Sequence, residues 1–280
     1  MCRVSIDLQA SAKLALNVPT MRFDVLTLFP EALSASLDFG VLGRARARQI
    51  VDINLYNPRD FAYDAYKRVD ERVYGGGPGM VLMLEPLKRA LADVKSQSDR
   101  PAKVIFLSPQ GPTLTQEKVH RLTSLDRIIL ICGRYEGLDE RFIEHYVDEE
   151  LSIGDYVLSG GEPAALVLID AITRLLPGVL NKSESAEQDS FEHGLLDCPH
   201  FTRPEIAPEG RVPAVLKSGD HAAIARWRLQ QSLGRTYLRR PDLLTKRILT
   251  KIEKRLLAEF LEAQQVDSQA PNLQNNQPAP

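Results

Sequence analysis

The sequence predicts an α/β fold with a mainly parallel sheet, followed by a smaller helical region. Two observations carry this expectation. The apolar runs KVIFL (103–107) and RIILIC (127–132) are continuous rather than alternating, which is how strands covered on both faces of a parallel sheet read. Segments of strand character also alternate with segments of helical character between residues 21 and 180, the pattern of an α/β domain.

Taken in order, Phe23–Phe29 is rich in β-formers and stops at Pro30, so it reads as a buried strand. Glu31–Arg48 is helical in character, and Val51–Tyr56 alternates as a second strand. Asn57–Tyr74 is polar and aromatic without a clear period, and Gly75–Gly79 (GGGPG) is a loop. Leu82–Lys95 reads as a helix, Lys103–Leu107 as a strand, and Thr115–Leu125 as a helix capped by Thr113 or Thr115. Arg127–Cys132 is a strand, Asp139–Tyr146 a short helix and Tyr156–Leu158 a brief strand. Pro163–Leu176 is a helix with its proline in the first turn, where the missing N–H costs nothing. Asn181–His193 is polar and reads as a flexible linker; Ile224–Phe260 is helical with a break at Pro241. From Gln264 onward the chain is rich in Gln, Asn and Pro, the composition of a disordered tail. The expected organisation is therefore an N-terminal extension (1–20), an α/β domain (21–180), a linker (181–193), a helical domain (194–263) and a tail (264–280).

At 280 residues the chain can bury a substantial core. Apolar residues are 44% and charged residues 26%, ordinary for a globular protein, and the formal net charge is -2. A near-neutral total is compatible with a local basic surface. Cys2, Cys132 and Cys198 do not form a disulfide framework, which points to a reducing, cytoplasmic setting. No apolar run has the length of a membrane span, and Asp7 and Gln9 interrupt the opening segment, so neither an anchor nor a signal peptide is expected. Met21 opens a clean strand pattern and is a candidate translation start.

Three glycine-containing loops follow expected strands: Ser108–Gly111, Gly133–Gly137 and Ser159–Glu162. In open α/β sheets ligands sit at the carboxyl ends of strands, and glycine lets backbone approach them closely. Neither G-x-G-x-x-G after an early strand nor a P-loop occurs. A ligand held by loop backbone, such as an adenine with a small amino acid, suits these loops better than a triphosphate. His193, Asp197, Cys198 and His200 lie close in sequence, but a structural zinc site takes four well-spaced ligands, so zinc is disfavoured.

Several of these segments are long and ordered enough to carry a resemblance. LSPQG (107–111), CGRYEG (132–137), SIGDYVLSGGE (152–162), YGGGPGM (74–80) and LLDCPHFTRP (195–204) resemble signature segments of the bacterial tRNA (guanine-N1)-methyltransferases of TrmD type. So do DFGVLGRA (38–45), RWRLQQSLGRT (226–236) and LRRPDLL (238–244). The resemblance covers roughly residues 21–262. It implies a SPOUT fold with a deep trefoil knot around 107–111, 132–137 and 152–164, an exception to the usual absence of knots.

The resemblance further implies that S-adenosylmethionine is the methyl donor. Its pocket would be lined by Ser108, Pro109 and Gly111, by Gly133, Tyr135 and Glu136, and by Ser152, Ile153, Gly154, Tyr156, Leu158, Gly160 and Gly161. Ala164 would border it, although GGEPAAL (160–166) departs from the family pattern in placing its proline at 163. Asp189 matches the general base that removes the guanine N1 proton, and Arg174 matches the cation that steadies charge on O6. Taken alone, Asp189 is a carboxylate in a polar linker, and Arg174 stands four residues after Asp170 as a common helix pair. Glu136 would lie near the methionine end of the cofactor and near Mg2+.

The implied substrate is tRNA with guanine at position 37. From Lys217 to Arg255 the chain holds eleven Lys or Arg against three Asp or Glu, with Trp227 and Tyr237 among them. Such a surface neutralises phosphates. Asp70, Gly79 and Ser185 resemble positions that contact the anticodon loop, whose target base would be flipped out. The family is a homodimer with each site at the interface, and the linker carrying Asp189 would order only when RNA arrives. Two other readings stay open: a knotted methyltransferase acting on ribose or ribosomal RNA, and an RNA-binding module without catalysis.

Overall fold

The computed structural model describes residues 20–180 and 187–269. Ser185, the extension before residue 20 and the tail beyond 269 lie outside the described residues. The chain divides into two compact units, Met1–Ser183 and Glu184–Pro280.

The first unit begins with strand β1 (Met21–Leu26), short helices α1 (Pro30–Ser34) and α2 (Gly40–Ala47), and strand β2 (Val51–Tyr56). A small antiparallel pair follows, β3 (Asp70–Glu71) with β4 (Val81–Leu82), then α3 (Leu84–Ser96), β5 (Lys103–Leu107) and α4 (Gln116–Leu122). Strand β6 (Arg127–Cys132), α5 (Glu140–Tyr146), β7 (Glu149–Leu151) and α6 (Glu162–Thr173) complete it. Thr115 caps α4, its hydroxyl accepting from Lys118 N, and Asp139 caps α5 by accepting from Arg141 N.

Five strands form one sheet in the order β2-β1-β6-β5-β7, with every pairing parallel. The continuous apolar runs have the expected cause. Along β6, Ile128 and Leu130 join a core with Phe23, Val25 and Ile105 under α1, α2 and α6. The alternate residues Ile129 and Ile131 join a second core with Val104 and Phe106 under α3 and α5. Successive side chains point to opposite faces, so a strand covered on both sides must be apolar throughout. The start of β6 is the exception. Arg127 is fully buried, its Nε donating to Asp24 at 2.7 Å and its other nitrogens to the carbonyls of Val94 and Ser98 at the end of α3. A cation there is favoured by the negative end of the helix dipole.

Three expectations change. Glu31–Arg48 is two helices rather than one, broken before Gly40, whose φ is +61°. Tyr156–Leu158 is not a strand; the edge strand is Glu149–Leu151. All three residues from Tyr156 to Leu158 are exposed, so no burial holds them in the sheet, whereas Glu149 is pinned at the edge by Lys103 and Lys118. The last helix runs on to Gln269, into the segment expected to be a disordered tail.

The second unit carries the small hairpin β8 (Ile206–Ala207) and β9 (Gly210–Arg211), then α7 (His221–Arg239), α8 (Pro241–Thr245) and α9 (Lys251–Gln269). Asp220 caps α7 by accepting from Ala222 N and Ala223 N. Leu195, Leu233 and Leu256 form its core. Among the described residues, no helix is long and apolar enough to cross a membrane.

Candidate active site

The three glycine loops meet at the carboxyl ends of β5, β6 and β7 and enclose a cavity of about 300 Å³. Backbone bonds tie them together. Ser108 N donates to Leu151 O at 3.0 Å, Leu114 N to Ser152 O at 2.7 Å, and Gly161 N to Gly133 O at 3.0 Å. The third loop is braced internally, since Gly154 N donates to Ser152 Oγ at 3.1 Å.

Of the residues expected at a cofactor pocket, Ser108, Pro109, Gly133, Tyr135, Glu136, Ser152, Ile153, Gly154, Tyr156, Leu158 and Gly160 line this cavity, and Ala164 borders it from α6. Gly111 and Gly161 do not line it; each stands where neighbouring backbone leaves no room for a side chain. A Cβ on Gly111 would lie 2.4 Å from the backbone of Glu150 and Leu151. A Cβ on Gly161 would lie 2.7 Å from Cys132 Cα. Gly111 lets its loop pass against the backbone of β7 and Gly161 lets its loop pass against the end of β6, while Gly133 leaves room for the Phe106 ring, which a Cβ would approach to 2.9 Å.

Phe106, Leu138, Leu151 and Ile153 give the cavity an apolar floor, and Glu136 and Glu140 give it carboxylates. A flat base against the apolar residues, hydrogen-bonded by loop backbone, with a cationic end near a carboxylate, fits these walls. Glu136 N also donates to Met80 O at 2.9 Å, and a Cβ on Gly79 would fall 2.3 Å from Glu136 Oε1. The β3–β4 hairpin that holds Asp70 and Gly79 is therefore docked on the cavity's second loop, with Leu82 bridging to Leu138.

Arg134, in the second loop, pairs with Glu162 at 2.8 Å. Arg134, Glu162 and Thr27 were not singled out as site residues. The first two stand inside the motifs CGRYEG and SGGE; nothing in the sequence marks Thr27. Cys132 is buried behind this group. Burial first, then the Glu162 carboxylate, pushes its thiol well above the ordinary value, against a smaller opposing effect of Arg134. The thiol is kept neutral and unreactive.

Arg174 caps the far end of α6 from the cavity. Asp189 belongs to the second unit, where it lines a cavity of about 260 Å³ with Gln188, His193, Leu229, Ser232 and Arg247. Arg247 is held by Glu253 and by the His193 carbonyl. The linker expectation needs correction from Glu187 onward. Phe191 N donates to Leu195 O at 2.7 Å and Asp197 N to Ser190 Oγ at 3.0 Å, so this half is already folded onto the helical unit. Leu195 anchors it in the core beside Leu233. The other half, 181–186, lies outside the described residues.

Asp197, Cys198 and His200 bring ligand atoms within 4.8 Å of one another, three where a structural zinc site takes four. His200 Nε2 lies 2.8 Å from the Asp197 carboxylate, which also accepts from Cys198 N at 2.6 Å.

The first unit is thus a parallel sheet whose last three strands lead into loops that close on a single cavity, and the second is a helical unit rich in Lys and Arg. Comparison with known proteins is specific. Residues 21–246 match the family described as tRNA (Guanine-1)-methyltransferase TrmD, and the chain belongs to this family. It is 59% identical over 242 residues to the tRNA (guanine-N(1)-)-methyltransferase of Shewanella sediminis (strain HAW-EB3), covering 86% of this chain and 100% of that one. It is 55% identical over 251 residues to the protein of the same name from Halorhodospira halophila (strain DSM 244 / SL1), covering 90% and 95%. A third of that name, from Stenotrophomonas maltophilia (strain R551-3), is 57% identical over 246 residues, covering 87% and 98%.

Proposed function

We propose that the protein is a tRNA (guanine-N1)-methyltransferase that uses S-adenosylmethionine to methylate the guanine at position 37, beside the anticodon. Membership of the family carries this reading, and the three-loop cavity supports it with a shape and lining suited to the donor. When bound, S-adenosylmethionine supplies a methyl group on a sulfonium. The loops that line the cavity, with Ser108, Gly133, Ser152, Gly154 and Gly160 among their residues, would hold it. Asp189 takes the N1 proton of guanine, because a protonated N1 is a poor nucleophile. Arg174 stabilises the charge that develops on O6. Asp70 and Gly79, on the hairpin against Glu136, meet the anticodon loop, as does Ser185. The exposed cations of α7 and α9 grip phosphates. Glu136 and Glu140 offer the hard oxygen ligands that Mg2+ prefers.

The active unit is a homodimer in the cytoplasm. Arg174 lies twelve residues beyond Glu162, about 18 Å along α6 from the end that borders the cavity. An arginine at that distance serves the cavity of a second copy more readily than its own.

A methyl-transfer assay on tRNA transcripts with guanine or adenine at position 37 tests the reading. The wild type is expected to methylate only the guanine transcript. Asp189→Ala is expected to lower kcat by about 10² to 10⁴-fold, while cofactor binding persists. Turnover unchanged in that variant would remove Asp189 from the mechanism. Inactivity of the wild type on both transcripts with RNA binding retained would favour a binding module.

A further inference from the structure

The cavity's second and third loops are joined by a charged clamp that reaches back to the first strand. Arg134 Nη2 lies 2.8 Å from Glu162 Oε2, and Nη1 donates to Ser159 O at 3.1 Å. The guanidinium carbon sits 4.4 Å from the centre of the Phe29 ring, a cation–π distance. The backbones of Arg134 and Gly160 are bridged, and a Cβ on Gly160 would fall 2.2 Å from Arg134 Nε. The guanidinium thus takes the volume that any larger residue at 160 would need.

The other end of the clamp is dry. The Glu162 side chain is only 8% exposed. Its Oε1 accepts from Thr27 Oγ1 at 2.7 Å, and that hydroxyl accepts in turn from Phe29 N at 3.0 Å. A buried carboxylate is stable only when paired and hydrogen-bonded, so these groups are committed to one arrangement. Arg134 borders the cavity; Glu162 and Thr27 do not.

We infer that Glu162 and Thr27 are positioning residues for the cofactor: through Arg134 they fix the separation of the 133–137 and 159–161 loops without touching the ligand. The inference rests on the reading of this cavity as the S-adenosylmethionine site. Its test is calorimetric titration of the full-length protein with S-adenosylmethionine, alongside thermal unfolding and steady-state kinetics. Glu162→Gln and Arg134→Gln are each expected to weaken cofactor binding by about tenfold or more, and the double variant no further, because coupled groups are not additive. Thr27→Val keeps both charges, removes one hydrogen bond and is expected to weaken binding about threefold. In Glu162→Gln and Thr27→Val the loss should fall on the cofactor KM, with kcat at saturating cofactor within about twofold of wild type.

Single losses that multiply in the double variant would overturn the clamp. So would a lowered Tm with unchanged cofactor affinity, the result of a purely structural role. If Glu162→Gln does not fold, the affinity of Thr27→Val decides. A wild type that binds no S-adenosylmethionine overturns the cofactor reading itself, and the clamp with it. Unchanged affinity in the variants beside a binding wild type overturns the clamp alone.

Discussion

At Gly161 the absence of a side chain has a specific consequence. Its Cβ position is 2.7 Å from Cys132 Cα and 3.0 Å from Gly133 N, and backbone atoms cannot swing aside as the tip of a flexible side chain can. Gly161→Ala is expected to cost about 1–3 kcal/mol of stability and to weaken cofactor binding, seen as a lower Tm and a raised Kd; an alanine variant that binds normally would show that the loops can separate there. A second residue-scale prediction concerns pH. Burial alone would raise the Glu149 pKa, but the hydrogen bonds and charges of Lys103 and Lys118 outweigh it and hold the carboxyl below its ordinary value. A group depressed in the folded state adds stability above its unfolded pKa and loses it as pH falls through the folded one. Glu149→Gln should therefore be less stable than wild type at neutral pH, by about 1 kcal/mol after solvent screening. Denaturant titrations should show that gap closing as pH falls below about 4. The motif SGGE contains Gly160, Gly161 and Glu162 in plain view. What it does not contain is their partners, since Arg134 and Thr27 come from the segments that follow β6 and β1.

At the scale of elements, helix packing in the second unit turns on one position. Gly234 lies within α7, and a Cβ there would meet the Phe260 ring of α9 at 2.3 Å. Alanine would raise helix propensity by about 1 kcal/mol, but the overlap forces the ring aside or the helices apart, at about 1–3 kcal/mol. The steric effect should prevail, so Gly234→Ala is expected to lower the Tm; a raised Tm would mean that the ring moves freely. The edge strand shows why some elements were misread. Glu149–Leu151 has no apolar pattern because it pairs on one side only and is held by ion pairs. Tyr156–Leu158 has β-formers without a neighbouring strand to receive them. Interior strands declare themselves by burial, and the other edge strand, β2, by its alternation; β7 has neither signal.

At the scale of the molecule, the assignment of Arg174 and Asp189 to one reaction requires elements that a single α/β unit does not bring together. Arg174 closes α6 at the end remote from the cavity, and Asp189 is folded into the helical unit. A solution mass of twice the chain is expected by light scattering. A mixture of Asp189→Ala and Arg174→Ala protomers should recover part of the activity that each lacks alone if the two residues act from different subunits. A strictly monomeric active enzyme would refute the arrangement.

Sequence alone determined the parallel sheet, the order of its interior strands along the chain and the glycine loops, because burial on both faces and close backbone approach restrict residue choice locally; the family was legible only as a resemblance of motif segments. The tertiary structure decided which loops share a cavity, that Arg134 answers Glu162, and that the chain from Glu187 is already folded onto the helical unit. These depend on contacts between residues far apart in the chain, such as Thr27 and Glu162, 135 positions apart. Such a pair leaves no periodic trace in the sequence, since either residue type is ordinary where it stands.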